Sequence, residues 1–484
     1  MIYLVSNQIE AFNNEFIPIT VEKSKELILN NKSKYIQYDS ETGNNDPKGS
    51  SLDPHTGFIY SIQFGLCYDQ IVVDCTTVNI KEYKNIFESN KLRFVGQNLM
   101  FDIQWLFKNS IIIKNIYDTM IAEQLLHLGE DNTKNAEYKC IDPLINPDYN
   151  KIYTEEEYLM YLYTLNHKFA LKSLCWKYLG VNLDKTVRGE INNEGLTTRV
   201  IKYAAGDVTY LNTIMEKQIA LLKQEGLLKA ALFEFKALLP ITYMAFCGVK
   251  IDSNKWLAKS SSELPKLNKL KDTIYQDILD FYNNNKAPSI NGKPYVNRVY
   301  IIEGADKIKK EFDICREKNI PVDADRDQKL FEDKIIYSWK VPFGYVNKGK
   351  FIPYVIRDMQ GDLFSGFNTE LQVNDINLSS SYQLIPLLTM MGVDCMVMDK
   401  KTHDKKESFG KSIIALYADK FPIIKHFGEY KVLSKQLDSF GPKFLNNINY
   451  KTKRFYAQWH QLGTRTGRIS SSNPINLGLI IVIL

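Results

Sequence analysis

Between Lys34 and Cys75 apolar and polar positions alternate as they do in strands. Tyr35–Asp39 reads as a strand and the Gly-, Asn- and Pro-rich stretch from Gly43 to Gly57 as a loop, while Phe58–Cys67 and Gln70–Asp74 read as a hairpin. Arg93–Gly96 predicts a short strand entering a helix over Leu99–Phe107, and Ile111–Ile116 predicts another strand. Asp118 stands where a cap belongs for the helix that opens Thr119-Met120-Ile121. Helical periodicity then dominates to about Lys229. Strands first, then strands alternating with helices, predict an α/β domain with a mixed sheet flanked by helices. A second, mainly helical region starts near Phe235. Residues 285–365, rich in Tyr, Lys and Gly, interrupt it and read as an inserted strand-containing module. Helix resumes at Asn377, where Ser379 and Ser380 offer caps, and the strand-like Arg454–Gln461 opens a third unit. The expected division is 1–230, 231–450 with its insertion at about 285–365, and an incomplete 451–484.

At 484 residues the chain is too long for one core. Its 44% hydrophobic and 24% charged residues are ordinary for a globular protein. The 61 basic against 56 acidic residues give +5, which permits a polyanionic partner without demanding one. Seven cysteines without paired spacing argue against a disulfide framework and for a reducing compartment. The six histidines form no His/Cys cluster of zinc spacing. The N-terminus lacks a signal-peptide pattern, and no run approaches the roughly 20 apolar residues of a membrane span. The expectation is a cytoplasmic protein with no membrane partner.

Within this pattern two carboxylates, Asp39 and Glu41, lie near the end of the run Tyr35-Ile36-Gln37-Tyr38-Asp39-Ser40-Glu41-Thr42-Gly43. Side chains alternate on a strand, so both acids point to one face. They repel unless a cation lies between them, and a hard divalent cation held by carboxylate oxygens is the usual solution. A strand end running into a polar turn accounts for the same triplet without a metal. Two more pairs lie at helical spacing, Asn98 with Asp102 and Tyr203 with Asp207. Each alone also suits a solvated first-turn acid or an interface tyrosine beside a surface acid. Together they bring the carboxylates to four, enough to hold two hard cations. Such a pair can activate a water, stabilise a leaving oxygen and neutralise a phosphoryl transition state. A tyrosine hydroxyl nearby can orient that water without being a strong base. This is the chemistry of phosphodiester hydrolysis.

The ordered set Asp39/Glu41, Asn98…Asp102 and Tyr203…Asp207 resembles the DEDDy class of 3′→5′ exonucleases, and specifically the proofreading domain of family A DNA polymerases. Asp118-Thr119-Met120-Ile121-Ala122, Leu171-Lys172-Ser173-Leu174, Tyr178-Leu179-Gly180-Val181 and Leu183-Asp184-Lys185 agree with it. The resemblance implies a ribonuclease H-like fold and two Mg²⁺ or Mn²⁺ ions. It places Asp39, Glu41 and Asp207 on the first ion, with Asp39 also reaching the second and Asp102 acting mostly through metal-bound water. Tyr203 would position the nucleophile, and Asn98 and Phe101 would contact the 3′ end, where aromatic stacking holds a frayed base.

Further along, Phe246-Cys247-Gly248-Val249-Lys250-Ile251-Asp252 resembles the start of the family A thumb. Asn377-Leu378-Ser379-Ser380 and Glu429-Tyr430-Lys431-Val432-Leu433-Ser434-Lys435 resemble later parts of it. His460-Gln461 with Thr464-Arg465-Thr466-Gly467-Arg468-Ile469-Ser470-Ser471-Ser472-Asn473-Pro474 resembles the opening of the polymerase palm. Arg468 then corresponds to an arginine that touches the duplex near the primer end, and Arg465 is a second candidate contact. An Arg among small hydroxyl residues and glycines suits close approach to a backbone or groove.

After Leu477 the family would continue into more palm, the metal-binding aspartates of synthesis and the fingers, whereas this sequence runs Gly478-Leu479-Ile480-Ile481-Val482-Ile483-Leu484. The expectation is therefore the N-terminal part of a split or truncated family A polymerase. Its partners would be a single-stranded DNA 3′ end, a primer–template duplex and a second chain carrying the remaining palm and fingers. Two other readings stay open. A ribonuclease D-like RNA exonuclease accounts for the N-terminal half but leaves the thumb and palm motifs unexplained. A non-catalytic DNA-clamping subunit would instead complete a split polymerase by association with a chain carrying palm and fingers. Gly410-Lys411-Ser412 hints at a phosphate-binding loop, but that motif's first glycine would fall at Lys405 with no core strand before it, so a helix start is expected.

Overall fold

The computed structural model describes residues 1–12, 15–129, 154–184, 186–189, 191, 195–290, 293–302, 323–331, 334–348, 350–354, 376–398 and 405–472. They form two compact units, Met1–Ile251 with the chain from Asn447 onward, and Asp252–Asn446.

The first unit is built on a seven-stranded mixed sheet. Its strands are β1 (Ile2–Val5), β2 (Ile17–Pro18), β3 (Tyr35–Gly43), β4 (Phe58–Gly65), β5 (Gln70–Asp74), β6 (Arg93–Gly96) and β7 (Ile116–Asp118), in the order β2-β1-β5-β4-β3-β6-β7. β4 runs antiparallel to both of its neighbours, β3 and β5, while β6 and β7 continue the sheet parallel to β3. This is the mixed sheet flanked by helices that the ribonuclease H-like resemblance implies. β3 lies inside the sheet between β4 and β6, and its alternation buries both faces: Ile36 and Tyr38 are fully buried on one register, Gln37 is buried on the other. The Leu99–Lys108 helix puts Leu99, Ile103 and Leu106 into the same core, each at 0% exposure.

Three expectations need correction. β3 does not stop at Asp39 but continues to Gly43, because β4 pairs with it along that length. The predicted strand Ile111–Ile116 begins only at Ile116. Ile111 and Ile113 are buried and Ile112 exposed, which mimics a strand, but β6 offers ladder partners only from Ile116 onward. Finally, the Leu228–Cys247 helix, with mean hydropathy 1.4, is long and apolar enough to cross a membrane, contrary to the expectation that no run is. Ala231, Phe235 and Leu238 of this helix belong to the core of the first unit. β1, β2 and the Val21–Leu29 helix had no counterpart in the sequence reading.

The loop from Gly43 to Gly57 is tied to later parts of the same unit. Asn449 Nδ2 donates to Asp53 Oδ2 at 2.7 Å, and the His55 ring stacks between Phe246 and Tyr456 at 4.8 and 4.3 Å. Arg454 closes this region by donating from Nε to Cys247 O at 2.6 Å.

In the second unit the 33-residue Ser253–Asn285 helix packs along Pro422–Phe440, burying Ile274, Ile278, Ile424 and Phe427 between them. The expected insertion contains a four-stranded antiparallel sheet of Lys286–Ile290, Lys293–Ile302, Asp323–Phe331 and Lys334–Pro342, followed by the hairpin Gly344–Asn347 with Lys350–Pro353. Residues 355–365 of that insertion lie outside the described residues. Ser380 occupies the cap position of the Ser381–Met390 helix, but its hydroxyl makes no capping bond. Gly410 precedes the Lys411–Tyr417 helix, so that glycine does start a helix, as expected. The apolar tail after Ser472 lies outside the described residues.

Candidate active site

Asp39 and Glu41 leave β3 on one face, as strand geometry requires. Asp207 is the last residue of the Thr198–Asp207 helix, which Thr197 caps by accepting from Val200 N and which packs against β3, β4 and β5. The three acids converge: each can present a carboxylate oxygen within 4.8 Å of those of the other two. Asp207 is buried and the other two half-buried. This all-oxygen, anionic donor set is that of a hard divalent cation.

Tyr203 sits one helical turn before Asp207. Burial holds its phenol far above the ordinary range, reinforced by the charges of Asp207, Glu41 and Asp39 and by a hydrogen bond shared with Asp207. The hydroxyl therefore remains protonated and faces the carboxylate cluster.

Asp102 is placed differently from the other acids. It is 2% exposed, and its Oδ1 accepts a 2.5 Å hydrogen bond from Ser40 Oγ, the residue between Asp39 and Glu41. Burial pushes its carboxyl up to about 7, against the lowering effect of the Ser40 bond. Asp102 is not among the three converging acids.

Asn98 is exposed and left-handed, at φ 58° and ψ 48°, and its side chain makes no capping bond. The cap is supplied by Asp118, whose carboxylate accepts from Asn98 N and Leu99 N and also from Met120 N and Ile121 N of the helix it precedes. One buried carboxylate thus starts two helices and fixes the turn that carries Asp102. Phe101 is half-buried, its ring 6.1 Å from Trp105. Arg465 and Arg468 are exposed between the paired segments Gln458–His460 and Ser470–Ser472, with Arg465 Nε donating to Gly129 O at 2.9 Å. The structure thus brings Asp39, Glu41, Tyr203 and Asp207 together, and seats Asp102 against Ser40. The sequence reading missed Ser40 because a serine between two acids carries no signal until the helix bearing Asp102 is placed behind it.

Residues 17–220 match the family model described as 3′-5′ exonuclease, and residues 364–482 match that of DNA polymerase family A. Among solved structures, the catalytic core of RRP6 from Trypanosoma brucei is similar at 19% identity and a TM-score of 0.34, over 49% of this chain and 51% of that one. Brucella melitensis NrnC is similar at 17% identity and a TM-score of 0.34, over 51% and 93%. Escherichia coli RNase D, an exoribonuclease involved in structured RNA processing, is similar at 16% identity and a TM-score of 0.36, over 56% and 59%. The chain spans about half the length of the RRP6 core that it matches.

Proposed function

We propose that this chain, whose N-terminal part is the 3′-5′ exonuclease domain of a family A DNA polymerase-like protein, removes nucleotides from DNA 3′ ends as a metal-dependent proofreading exonuclease of the DEDDy type. The observation that carries this reading is the convergence of Asp39, Glu41 and Asp207 within 4.8 Å. These three would hold Mg²⁺ or Mn²⁺, and Asp102 would complete a two-ion set. Bound there, such ions would make a water more acidic and neutralise charge on the phosphoryl group.

The protein's own residues set the geometry. Tyr203, kept protonated by burial and by the carboxylates around it, orients the attacking water rather than taking its proton. Ser40 holds the Asp102 carboxylate in one rotamer. Water adds to the terminal phosphorus, the bond to the 3′ oxygen of the preceding nucleotide breaks, and that oxygen leaves as a hydroxyl. The product is a nucleoside 5′-monophosphate. Asn98, Phe101, Arg465 and Arg468 would bind the strand. The polymerase-family match over 364–482 favours DNA over RNA.

The test compares wild type with Asp39→Ala on 3′-labelled single-stranded DNA and RNA, in Mg²⁺ and in EDTA. The proposal expects Mg²⁺-dependent loss of label from DNA by wild type alone. Equal degradation by both proteins would overturn it.

A further inference from the structure

The pairing of β3 with β4 is regular as far as Glu41, which faces Ser61, and resumes with Thr42 facing Ile59. Tyr60 is left over between them as a bulge. Cross-strand partners share a face, so Ser61 lies on the carboxylate face with Glu41, and Phe58 lies there with Gly43. In an unbroken strand Tyr60 would point away from Ser61, to the opposite face. The bulge re-aims it.

Its ring lies over Gly43, where a Cβ would come within 2.1 Å of Tyr60 Cε2, so only glycine at that position admits the ring. Tyr60 also packs with Tyr203 around the small cluster of Val187, Ile191 and Val200. The Phe58 ring meets it edge-on, with centroids 4.7 Å apart and planes at 68°. Both rings are half-buried rather than sealed in the core. A register break, a glycine that yields its side-chain space and two partly open rings thus coincide beside the acids.

Resting on the exonuclease reading, we propose that Tyr60, backed edge-on by Phe58, is a stacking surface for a nucleobase at the single-stranded 3′ end. Every base has a π-face, so this subsite would hold any terminal nucleotide without reading its sequence. It would position the strand so that its last phosphodiester lies at Asp39 and Glu41.

The test couples the side chain to the base. Wild type, Tyr60→Leu and Tyr60→Trp are each given an intact oligonucleotide and one abasic at its last or second-last position. Affinity is read by anisotropy in EDTA, and hydrolysis under single-turnover conditions in Mg²⁺. Tyr60→Leu is expected to weaken binding of intact DNA by about 5- to 100-fold, with Tyr60→Trp restoring it. The abasic change should cost wild type a similar factor and the Leu variant little. If the Leu variant loses the same factor on intact and abasic strands, or loses saturated rate without losing affinity, the proposal is overturned. Absence of Asp39-dependent hydrolysis in wild type would instead sink the exonuclease reading, and the coupling measured in EDTA would still decide the stacking surface.

Discussion

Ser40 Oγ donates a 2.5 Å hydrogen bond to Asp102 Oδ1, so the residue between two converging acids anchors a fourth acid from another element. Asp39 and Glu41 go to one face of β3 and Ser40 to the other, which lets one strand serve both sides of the site. The carboxylate it anchors is buried.

That burial has a measurable cost. The ordinary value of 3.8 for Asp102 is pushed up to about 7, chiefly by burial, so the folded protein holds a proton that the unfolded chain releases near pH 4. Stability of the metal-free protein is therefore expected to fall as pH rises from about 4 to about 7. Asp102→Asn removes the penalty and should raise Tm at pH 8 in EDTA by several degrees, each kcal/mol being worth about 2–4 °C in a domain of this size. The same variant should lose on the order of 100-fold or more in exonuclease rate. A Tm at pH 8 equal to or below wild type would contradict the account of burial.

Tyr203→Phe keeps the ring in its packing and removes only the hydroxyl. Exonuclease kcat is expected to drop by about 10- to 100-fold, with KM and the Mg²⁺-induced rise in Tm unchanged. A loss of the metal-induced shift would mean that the phenol holds the ligands rather than the water.

Glu123 tests the frame behind the site. Burial alone would raise its carboxyl, but hydrogen bonds from His127, Lys177, Tyr178 and Gln218 prevail and bring it down to about 2. Its contribution is present above the unfolded value of about 4.5 and is lost as pH falls toward 2. Glu123→Gln leaves the Lys177 ammonium, 2.6 Å away in the native protein, without its counter-charge. The variant should melt lower than wild type at pH 7, by about 2–4 kcal/mol, with the gap narrowing in acid. A gap that widens in acid would refute the assignment.

Asp118→Ala removes the acceptor for backbone N–H groups at two helix starts at once. Losing two caps should cost about 1–4 kcal/mol. Because one of the helices carries Asp102, exonuclease rate should fall more than the same loss of stability elsewhere produces. Asp118→Asn, which keeps an acceptor, is expected to recover part of both; urea unfolding and exonuclease rate together check this.

Much of the site was legible because its residues are constrained locally. The i, i+2 spacing of Asp39 and Glu41 and the i, i+4 spacing of Tyr203 and Asp207 fix which side chains share a face before anything is packed. Asp118 was legible as a cap for the helix following it, but not for the helix before it, since the second role depends on β6 and β7 lying side by side. Ile111–Ile116 misled because alternating burial can be produced by an irregular segment crossing a core edge, whereas a strand needs a partner to accept its ladder bonds.

What the sequence determined by itself was the chemistry available: four acids and a tyrosine at spacings that local backbone geometry turns into shared faces. Only the tertiary structure decided which of them meet. It gathered Asp39, Glu41 and Asp207 within 4.8 Å, seated Asp102 on Ser40, and by one extra residue in β4 turned Tyr60 onto the carboxylate face. The physical reason is that register and helix docking are set by burial over the whole sheet, a sum over distant residues that no local spacing contains.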